Sequence, residues 1–459
     1  MTDSVLIIGA GVTGLHAAQE CAAAGAKAIV VERGPIVGGR LAAAMTKATA
    51  IGDRAEGEAV PLLEALASND NIEIITNATL ANVEGRPGAM EVSIVERARF
   101  VTDACTRCKL CHGVCPVVRP NEFDAGLTFR KAIYTPMLST MPEAWVIDID
   151  SCLNTPPNYL PCHRCIDVCE DNAIHFDQAL SKTHRRHVGA IILAPGFRVD
   201  DAAEFEEFGY GSHPDIVTSA ELQRLLESPG PTGGFASKPS DEEYPESVLL
   251  VLDNPSPFTL YIVASQAHQL IEQDIEEVSV LILSQPTGAT GTEAAKLLSD
   301  MAGIQANWGT MLKVDSDGSL SVSYEDFTAG KLVRHSYDMI VLCTDVAPAN
   351  DLAALAATAG IKLDENGYLA VTGADGEDVC TDHPGIFVAG CASGPKNIKT
   401  SIAQARVATQ KAIAQLAPVS LVSEGDSTGD TATATPTENE AMRAQIEKLL
   451  HALINQANI

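Results

Sequence analysis

The sequence is poor in basic residues and in long apolar runs. Its 31 Lys and Arg stand against 60 Asp and Glu, a formal net charge of −29, which argues against nucleic acid or an anionic membrane surface as a partner, because both attract basic proteins. No stretch approaches the roughly 18 uninterrupted apolar residues of a membrane span. The opening MTDSVLIIGAGVTGL shows neither a basic leader nor a small-residue cleavage site. We therefore expect a cytoplasmic protein with no direct membrane insertion.

The first strong pattern is a dinucleotide-binding turn. SVLIIGAGVTGLHAAQECAAAGAKAIVVERG (4–34) predicts a buried strand, a glycine turn, a helix and a second strand. In such turns the first glycine allows the tight bend, the second lets the backbone approach a pyrophosphate, and the third lets helix and strand pack closely. The free N–H groups at the helix start attract phosphate. The candidate residues are Gly9, Gly11, Val12, Thr13 and Gly14, with Glu32 as acceptor for ribose hydroxyls.

Three separate segments indicate FAD rather than NAD at this turn. ERGPIVGGRL, AIILAPGF (190–197) and DHPGIFVAGCASGPKNIKTSIAQARVA resemble segments of FAD-binding flavoproteins with two dinucleotide folds. Cys391 stands where many such proteins carry an aspartate near the ribityl chain. We expect the three segments to converge on one cofactor. They add the candidates Arg33, Gly38, Gly39, Arg40, Leu41, Ala194, Gly196, Gly390, Cys391, Ile402 and Ala403.

A second Rossmann-like unit lacks the glycine fingerprint. PESVLLVLDNPSPFTLYIVASQAHQLIEQ (245–273) and the following VSVLILSQ predict a strand, a helix and a strand, but the intervening turn is DNPSP. Asp253 and the two prolines would obstruct a pyrophosphate. This unit is expected to be a scaffold without a nicotinamide site.

Eight of the twelve cysteines lie between positions 105 and 169. The cytoplasm keeps thiols reduced, so disulfides are not expected. The first run is C-x2-C-x2-C-x3-C-P, as in bacterial ferredoxins, and the second keeps the x2 and x3 spacings but displaces its first cysteine. Since such runs exchange their fourth ligand, we predict two 4Fe–4S clusters. One would use Cys105, Cys108, Cys111 and Cys169, and the other Cys115, Cys152, Cys162 and Cys165. An all-cysteine zinc site is the alternative.

Several uncommon peptides resemble one family. CPVVRPNEFDAGLTFRKAIYTPMLSTMPEAWVIDIDSC, SPGPTGGFASKPSDEE (228–243) and GIFVAGCASGPKNI (385–398) are similar to the A-subunit of heterodisulfide reductase, over roughly residues 1–415. The resemblance implies FAD, 4Fe–4S clusters and a cytoplasmic complex of several subunits. Related flavin subunits serve sulfur-oxidising complexes and quinone-interacting oxidoreductases.

We expect an α/β flavoprotein with two dinucleotide-binding domains and an inserted two-cluster ferredoxin-like domain. A Ser-, Thr-, Asp- and Gly-rich stretch near the end predicts a flexible linker, and apolar residues at helical spacing predict a helix after it. The expected order is FAD domain, first part (1–96); insertion (97–182); return to the FAD domain and connection (183–244); degenerate second Rossmann-like domain (245–345); FAD domain, last part (346–417); linker (418–440); and C-terminal helix (441–459).

The predicted function is electron transfer. FAD exchanges electrons in pairs and clusters move them singly, so the insertion would connect the flavin to other subunits of a heterodisulfide-reductase-like complex, in sulfur or thiol/disulfide metabolism. The alternatives are a quinone-interacting complex, a self-contained NAD(P)H-dependent enzyme like the small subunit of glutamate synthase, and a scaffold holding zinc. A homodimer is the alternative assembly.

Overall fold

The computed structural model describes most of the chain in two compact units. Unit 1 holds described residues within 1–119, 130–197 and 348–416, and unit 2 holds those within 120–129 and 198–347. The predicted site residues Arg40 and Leu41, the linker and the C-terminal helix lie outside the described residues. The described residues are 3–39, 69–136, 142, 145–199, 206–227, 230–253, 256–283, 298, 303–315, 320–372, 378–396 and 398–416.

Strands outnumber helices in the described part of the chain. The strands are β1 (Ser4–Ile8), β2 (Lys27–Val31), β3 (Ile72–Ile75), β4 (Ala78–Arg86), β5 (Ala89–Arg97), β6 (Arg119–Pro120), β7 (Phe129–Arg130), β8 (Ile133–Tyr134), β9 (Val146–Ile147), β10 (Ser181–Val188), β11 (Ala190–Leu193), β12 (Phe197–Val199), β13 (Ile216–Thr218), β14 (Ser247–Leu252), β15 (Glu277–Ile282), β16 (Ile304–Asp315), β17 (Leu320–Asp326), β18 (Lys331–Tyr337), β19 (Met339–Cys343), β20 (Val346–Pro348) and β21 (Ile386–Val388). The helices are α1 (Val12–Ala23), α2 (Leu110–Val114), α3 (Arg164–Asp167), α4 (Ser219–Leu225), α5 (Pro257–Glu272), α6 (Leu352–Ala359) and α7 (Ile398–Ile413). In the described part of the chain no helix has the length and apolar character needed to cross a bilayer.

Unit 1 is built on a parallel sheet in the order β21-β11-β1-β2-β3. Its central strand β1, SVLII, is buried along its whole length, as expected for a parallel strand covered on both faces. Helix α1 packs against α7, where the buried Thr409 hydroxyl donates to the Ala17 carbonyl at 3.5 Å. The carboxyl ends of β1, β11 and β21 therefore meet at one edge, which is where such sheets bind ligands.

The cysteine-rich segment emerges from an antiparallel sheet ordered β10-β5-β4. Strand β5 ends at Arg97 and β10 begins at Ser181, and these two residues are direct partners in the ladder. Between them, Phe100, Trp145, Ile147 and Ile174 form a small core of their own together with the cysteines. The segment is thus an insertion within unit 1, except for residues 120–129, which belong to unit 2.

Unit 2 contains a second α/β fold. Its sheet has the order β13-β19-β14-β15-β16-β17-β18, parallel from β13 to β16 and antiparallel from β16 to β18. The connection expected over 183–244 divides between the units, since β11 belongs to unit 1 and β13 and α4 belong to unit 2. Unit 2 also includes residues 120–129 from within the insertion, where Asp124 accepts hydrogen bonds from Arg224 at 2.8 and 3.2 Å.

Candidate cofactor sites

The turn from β1 to α1 is a close-packed cradle with one open position. A Cβ on Gly9, whose φ is +101°, would lie 2.2 Å from the Ala194 oxygen, and one on Gly14 would lie 1.8 Å from the Gly9 oxygen. Gly11 has an ordinary φ of −79°, and among the residues that the structure describes a Cβ there would meet nothing within 4 Å. The open space therefore lies at the start of α1, beside its free N–H groups, where a pyrophosphate binds in this type of turn.

The other predicted segments converge on this turn. A Cβ on Gly39 would lie 3.1 Å from Gly11 Cα, and a Cβ on Gly390 would lie 2.6 Å from the Thr13 hydroxyl. The Gly38 amide donates to the Ala10 carbonyl at 2.8 Å. Residues from four distant parts of the sequence thus border one edge of the unit 1 sheet.

Glu32 lies at the end of β2, with hydrogen bonds to the backbone on both carboxylate oxygens. Oε2 accepts from the Ala10 amide and Oε1 from the Gly34 amide, each at 2.7 Å. Burial raises the pKa of this carboxyl, and the two amides oppose that effect. Since each carboxylate oxygen has a further lone pair, Glu32 holds the turn in shape and can still accept from a ribose.

The remaining predicted residues differ in their surroundings. Arg33 is exposed and pairs with Asp351 at 2.5 Å. Cys391 is buried, and its thiol donates to the Lys396 carbonyl at 3.2 Å. On α7, Ile402 is buried and Ala403 is exposed. Arg33 and Ala403 therefore support the cofactor assignment less strongly than the glycine turn does.

These features fit FAD. The glycine cradle leaves room beside a helix N-terminus, an acidic group follows β2, and the Gly390 turn abuts Thr13. Gly9, Gly11 and Gly14 would hold the pyrophosphate, and Glu32 the adenosine ribose. When bound, FAD supplies a carrier of one or two electrons.

The first cysteine pocket gathers thiols from both motifs. Cys105, Cys108 and Cys111 line it with Cys169 from the second motif. The backbone amide of Ala173 donates to the Cys169 sulfur at 3.3 Å. These are the four residues that the sequence predicts for one cluster.

The second pocket shows the reciprocal exchange. Cys152, Cys162 and Cys165 line it with Cys115 from the first motif. The buried residue Ile133 lines both pockets, so the two pockets are adjacent.

The insertion also contacts the loop after Glu32. The Arg99 guanidinium donates to the Pro35 carbonyl at 2.6 Å, and the Arg99 carbonyl accepts from the Ile147 amide at 3.0 Å. Ile147 lines the second pocket. A short chain of contacts therefore leads from the loop after Glu32 to the second cysteine pocket.

The donor set fits iron–sulfur clusters. Burial raises the pKa of Cys111 to about 11 and that of Cys165 to about 12, so these thiols need a bound cation to become thiolates. Each pocket takes three thiols from one motif and the fourth from the other, which is the ligand exchange of two-cluster ferredoxins. Within the described residues, no three His, Cys, Asp or Glu side chains are arranged to hold a single metal ion. All twelve cysteines are described, and each is a free thiol.

Known proteins of similar sequence carry one recurring name. The chain is 33% identical over 420 residues to the iron-sulfur A-subunit of CoB–CoM heterodisulfide reductase from Methanocaldococcus jannaschii, a match that covers 88% of this chain and 63% of the relative. It is 32% identical over 452 residues to the A-subunit of the H(2):CoB-CoM heterodisulfide,ferredoxin reductase from Methanothermobacter marburgensis, which covers 93% and 67%. The chain belongs to the heterodisulfide reductase A-subunit family. It spans about two thirds of the length of these relatives.

Two family models match parts of this member of the heterodisulfide reductase A-subunit family. Residues 7–51 match the NAD(P)-binding Rossmann-like domain, and residues 262–412 match the pyridine nucleotide-disulphide oxidoreductase family. The predicted two-dinucleotide-binding α/β fold of an oxidoreductase is thereby confirmed. The crystal structure of Lactococcus lactis thioredoxin reductase is 16% identical and superposes with a TM-score of 0.47, covering 90% of this chain and 98% of that one.

In this member of the heterodisulfide reductase A-subunit family, an internal carboxylate occupies the second Rossmann turn. Asp345 follows β19 and accepts from the Ser256 amide at 3.2 Å, the Ser256 hydroxyl at 2.8 Å and the Thr259 hydroxyl. These groups begin α5, where a nucleotide phosphate would bind. The sequence analysis assigns the obstruction to Asp253 and two prolines; Asp253 is exposed, and Pro255 lies outside the described residues. Asp345 has no local signal in the sequence, because it lies 89 residues beyond Ser256.

Replacement of Asp345 by alanine should weaken unit 2 without creating a nicotinamide site. The change leaves the Ser256 and Thr259 donors without their acceptor, so we expect the free energy of unfolding to fall by about 1–3 kcal/mol. Denaturant-induced unfolding measures this free energy of unfolding. Asp253→Ala, on the same turn, is the control and should change stability by less than about 0.5 kcal/mol. Rapid bleaching of the flavin by NADH or NADPH in the unmodified protein would contradict this account of the turn.

Proposed function

We propose that this chain is an electron-transfer flavoprotein subunit that binds FAD at the β1–α1 turn and two 4Fe–4S clusters in the insertion. FAD exchanges electrons in pairs with a substrate or partner, and the clusters carry them singly to or from another subunit. The protein contributes the positions of the cofactors and the polarity around them.

One observation carries this proposal. Each cysteine pocket is lined by three thiols from one motif and a fourth from the other. This exchange is the ligand arrangement of two-cluster ferredoxins. The position of Ile133 in the lining of both pockets and the contact of Arg99 with the Pro35 carbonyl support a continuous route between the pockets and the loop after Glu32.

Cofactor analysis of the full chain, purified without oxygen, tests the proposal. We expect about eight iron and eight sulfide per chain, as two 4Fe–4S clusters require, together with one FAD. Iron and sulfide are measured chemically, and flavin by absorbance after denaturation. Zinc in place of iron, or the absence of flavin from protein isolated in folded form, would contradict it.

We further propose that the chain works within a heterodisulfide-reductase-like complex, in sulfur or thiol/disulfide metabolism. The relatives are each named as the A-subunit of a heterodisulfide reductase. Anaerobic affinity purification from the native organism should recover other subunits with this chain in fixed proportion. Recovery of the chain alone, as a monomer or homodimer, would contradict an obligate complex.

A further inference from the structure

Cys152 stands apart from the other cysteines of its motif. Nine residues, three of them proline, separate it from Cys162, whereas two residues separate Cys162 from Cys165. A spacing of two lets one short stretch of chain place both thiols on a cluster, but a nine-residue loop does not by itself fix the position of its first residue. Cys152 nevertheless lines the second pocket beside the other two. Contacts outside the motif must therefore hold it there.

The carboxylate of Asp148, four residues before Cys152, ties separate segments of the insertion together. Its Oδ2 atom accepts from Arg119 Nη1 at 2.8 Å and from Arg130 Nη2 at 2.9 Å, and Oδ1 accepts from the Asp150 amide at 3.1 Å. The side chains of Arg130 and Asp148 are 6% and 11% exposed, so salt screens this pair little. Arg119 and Arg130 are also the residues at which the chain leaves and re-enters unit 1. The carboxylate thus anchors Asp148 to both of these positions.

The backbone of Asp148 passes this anchoring on to the cysteine. Its amide donates to the Ala132 carbonyl at 2.8 Å, and its carbonyl accepts from the Cys152 amide at 3.0 Å. Ala132 itself lines the second pocket. On the other side, the buried Thr155 hydroxyl donates to the Cys152 carbonyl at 3.1 Å and to the Ile149 carbonyl at 2.5 Å. Cys152 is therefore held at its amide by one residue and at its carbonyl by the other.

We propose that Asp148 and Thr155 are positioning residues that hold Cys152 as the remote thiolate of the second cluster. The inference rests on the proposed function, because it assumes a cluster in the second pocket. Residues that contact a metal ligand rather than the metal typically account for about ten- to a hundredfold of metal affinity. Here they take the place of the short spacing that positions Cys162 and Cys165. The iron bound by Cys152 should therefore be lost first when either support is removed.

Oxidation of Asp148→Asn tests this role, because asparagine keeps the shape of the side chain and removes its charge. Ferricyanide, a one-electron oxidant, takes one electron from a 4Fe–4S cluster, which then releases one iron(II) and becomes a 3Fe–4S cluster. In the anaerobic, cofactor-loaded full chain, we expect the second cluster of the variant to convert about tenfold faster than that of the original chain. EPR follows the 3Fe–4S signal, and a ferrous chelator measures the released iron.

Further variants assign the signal to a cluster and provide a second test. Cys105→Ser should keep the second cluster alone and Cys115→Ser the first alone, since these cysteines line different pockets. Asp148→Asn should speed conversion in the Cys105→Ser background only. Thr155→Val removes the hydroxyl with little change of shape and should act in the same direction. Its effect should be smaller, because Asn158 Nδ2 also donates to the carbonyl of the ligand at 3.1 Å.

Asp150→Asn is the matched control. It makes the same charge change two residues nearer to Cys152, but the Asp150 side chain is 69% exposed and pairs with Arg97 at 2.9 Å. We expect its conversion rate to stay within about twofold of the original. Equal acceleration by this control, or equal acceleration of the first cluster by Asp148→Asn in the Cys115→Ser background, would overturn the positioning role.

Iron and flavin contents measured before oxidation separate this inference from the proposed function. An original chain that carries about eight iron, and whose second cluster converts at the same rate in Asp148→Asn and in Thr155→Val, would refute the positioning role and leave the two clusters in place. An original chain without iron would contradict the proposed function and this inference with it.

Discussion

Replacement of Cys169 by serine should remove the cluster whose other three ligands lie in the first motif. Iron should fall from about eight to about four per chain, because serine is a poor substitute for a soft thiolate ligand. The Cys105→Ser and Cys169→Ser double variant should lose no more iron than either single variant, since both residues line the first pocket. Iron and sulfide assays on anaerobically purified protein measure these contents.

A second double variant tests whether the two cysteine motifs exchange their fourth cluster ligands. Cys105→Ser with Cys115→Ser falls within one sequence motif but touches both pockets, so it should remove nearly all the iron. If each motif instead held its own cluster, this pair would leave about half of the iron. In that case the Cys105→Ser and Cys169→Ser double variant would lose nearly all its iron, and this result would refute the exchange of ligands between the motifs. Flavin content should stay near one per chain throughout.

Replacement of Gly11 by valine should abolish tight FAD binding while the fold persists. The backbone at Gly11 is extended, with φ −79° and ψ −174°, which any residue adopts, and no neighbour in the described part of the chain lies within 4 Å of the added Cβ. The side chain would instead fill the space through which the pyrophosphate approaches. We expect FAD affinity to fall about 10- to 100-fold, as measured by fluorescence titration of deflavinated protein.

Gly25→Ala is the matched control for this prediction. A Cβ on Gly25 also meets nothing within 4 Å, but its φ is +78° and it follows α1 at the end away from the turn. We expect a loss of about 1 kcal/mol in stability from the left-handed backbone and unchanged flavin affinity. FAD binding to Gly11→Val with the original affinity would exclude this turn as the pyrophosphate site.

The sequence indicated those features that depend on short spacings. Gly9, Gly11 and Gly14 specify a turn by their separation alone, and the two cysteine motifs predict an exchanged fourth ligand because the first three thiols already surround one corner. The structure brings Cys169 to the first pocket and Cys115 to the second. That these thiols bind clusters stays a prediction for the iron assays above.

Contacts between distant segments could not be foreseen in the same way. The bond from Arg99 to the Pro35 carbonyl joins positions 64 residues apart, and the hydrogen bonds of Asp345 at the start of α5 span 86 and 89 residues. Neither has a local pattern, since they depend on which strands are neighbours in the sheets. Glu32 shows a subtler case, because its spacing predicts a ribose acceptor but does not reveal that two backbone amides already bind it.

Arg97 and Ser181 are direct partners at the point where the insertion begins and ends, so the inserted segment can be replaced by a short turn. The insertion leaves and re-enters the antiparallel sheet at adjacent ladder positions, and the Ala98 amide donates to the Leu180 carbonyl at 2.9 Å just beyond them. Since Ala98 and Leu180 are hydrogen-bonded neighbours, a two-residue hairpin turn can connect them. Excising 99–179 and closing the gap with Asn-Gly should leave a smaller protein that keeps the β1–α1 turn. The excision also removes Asp124, the acceptor for Arg224, so unit 2 should lose stability.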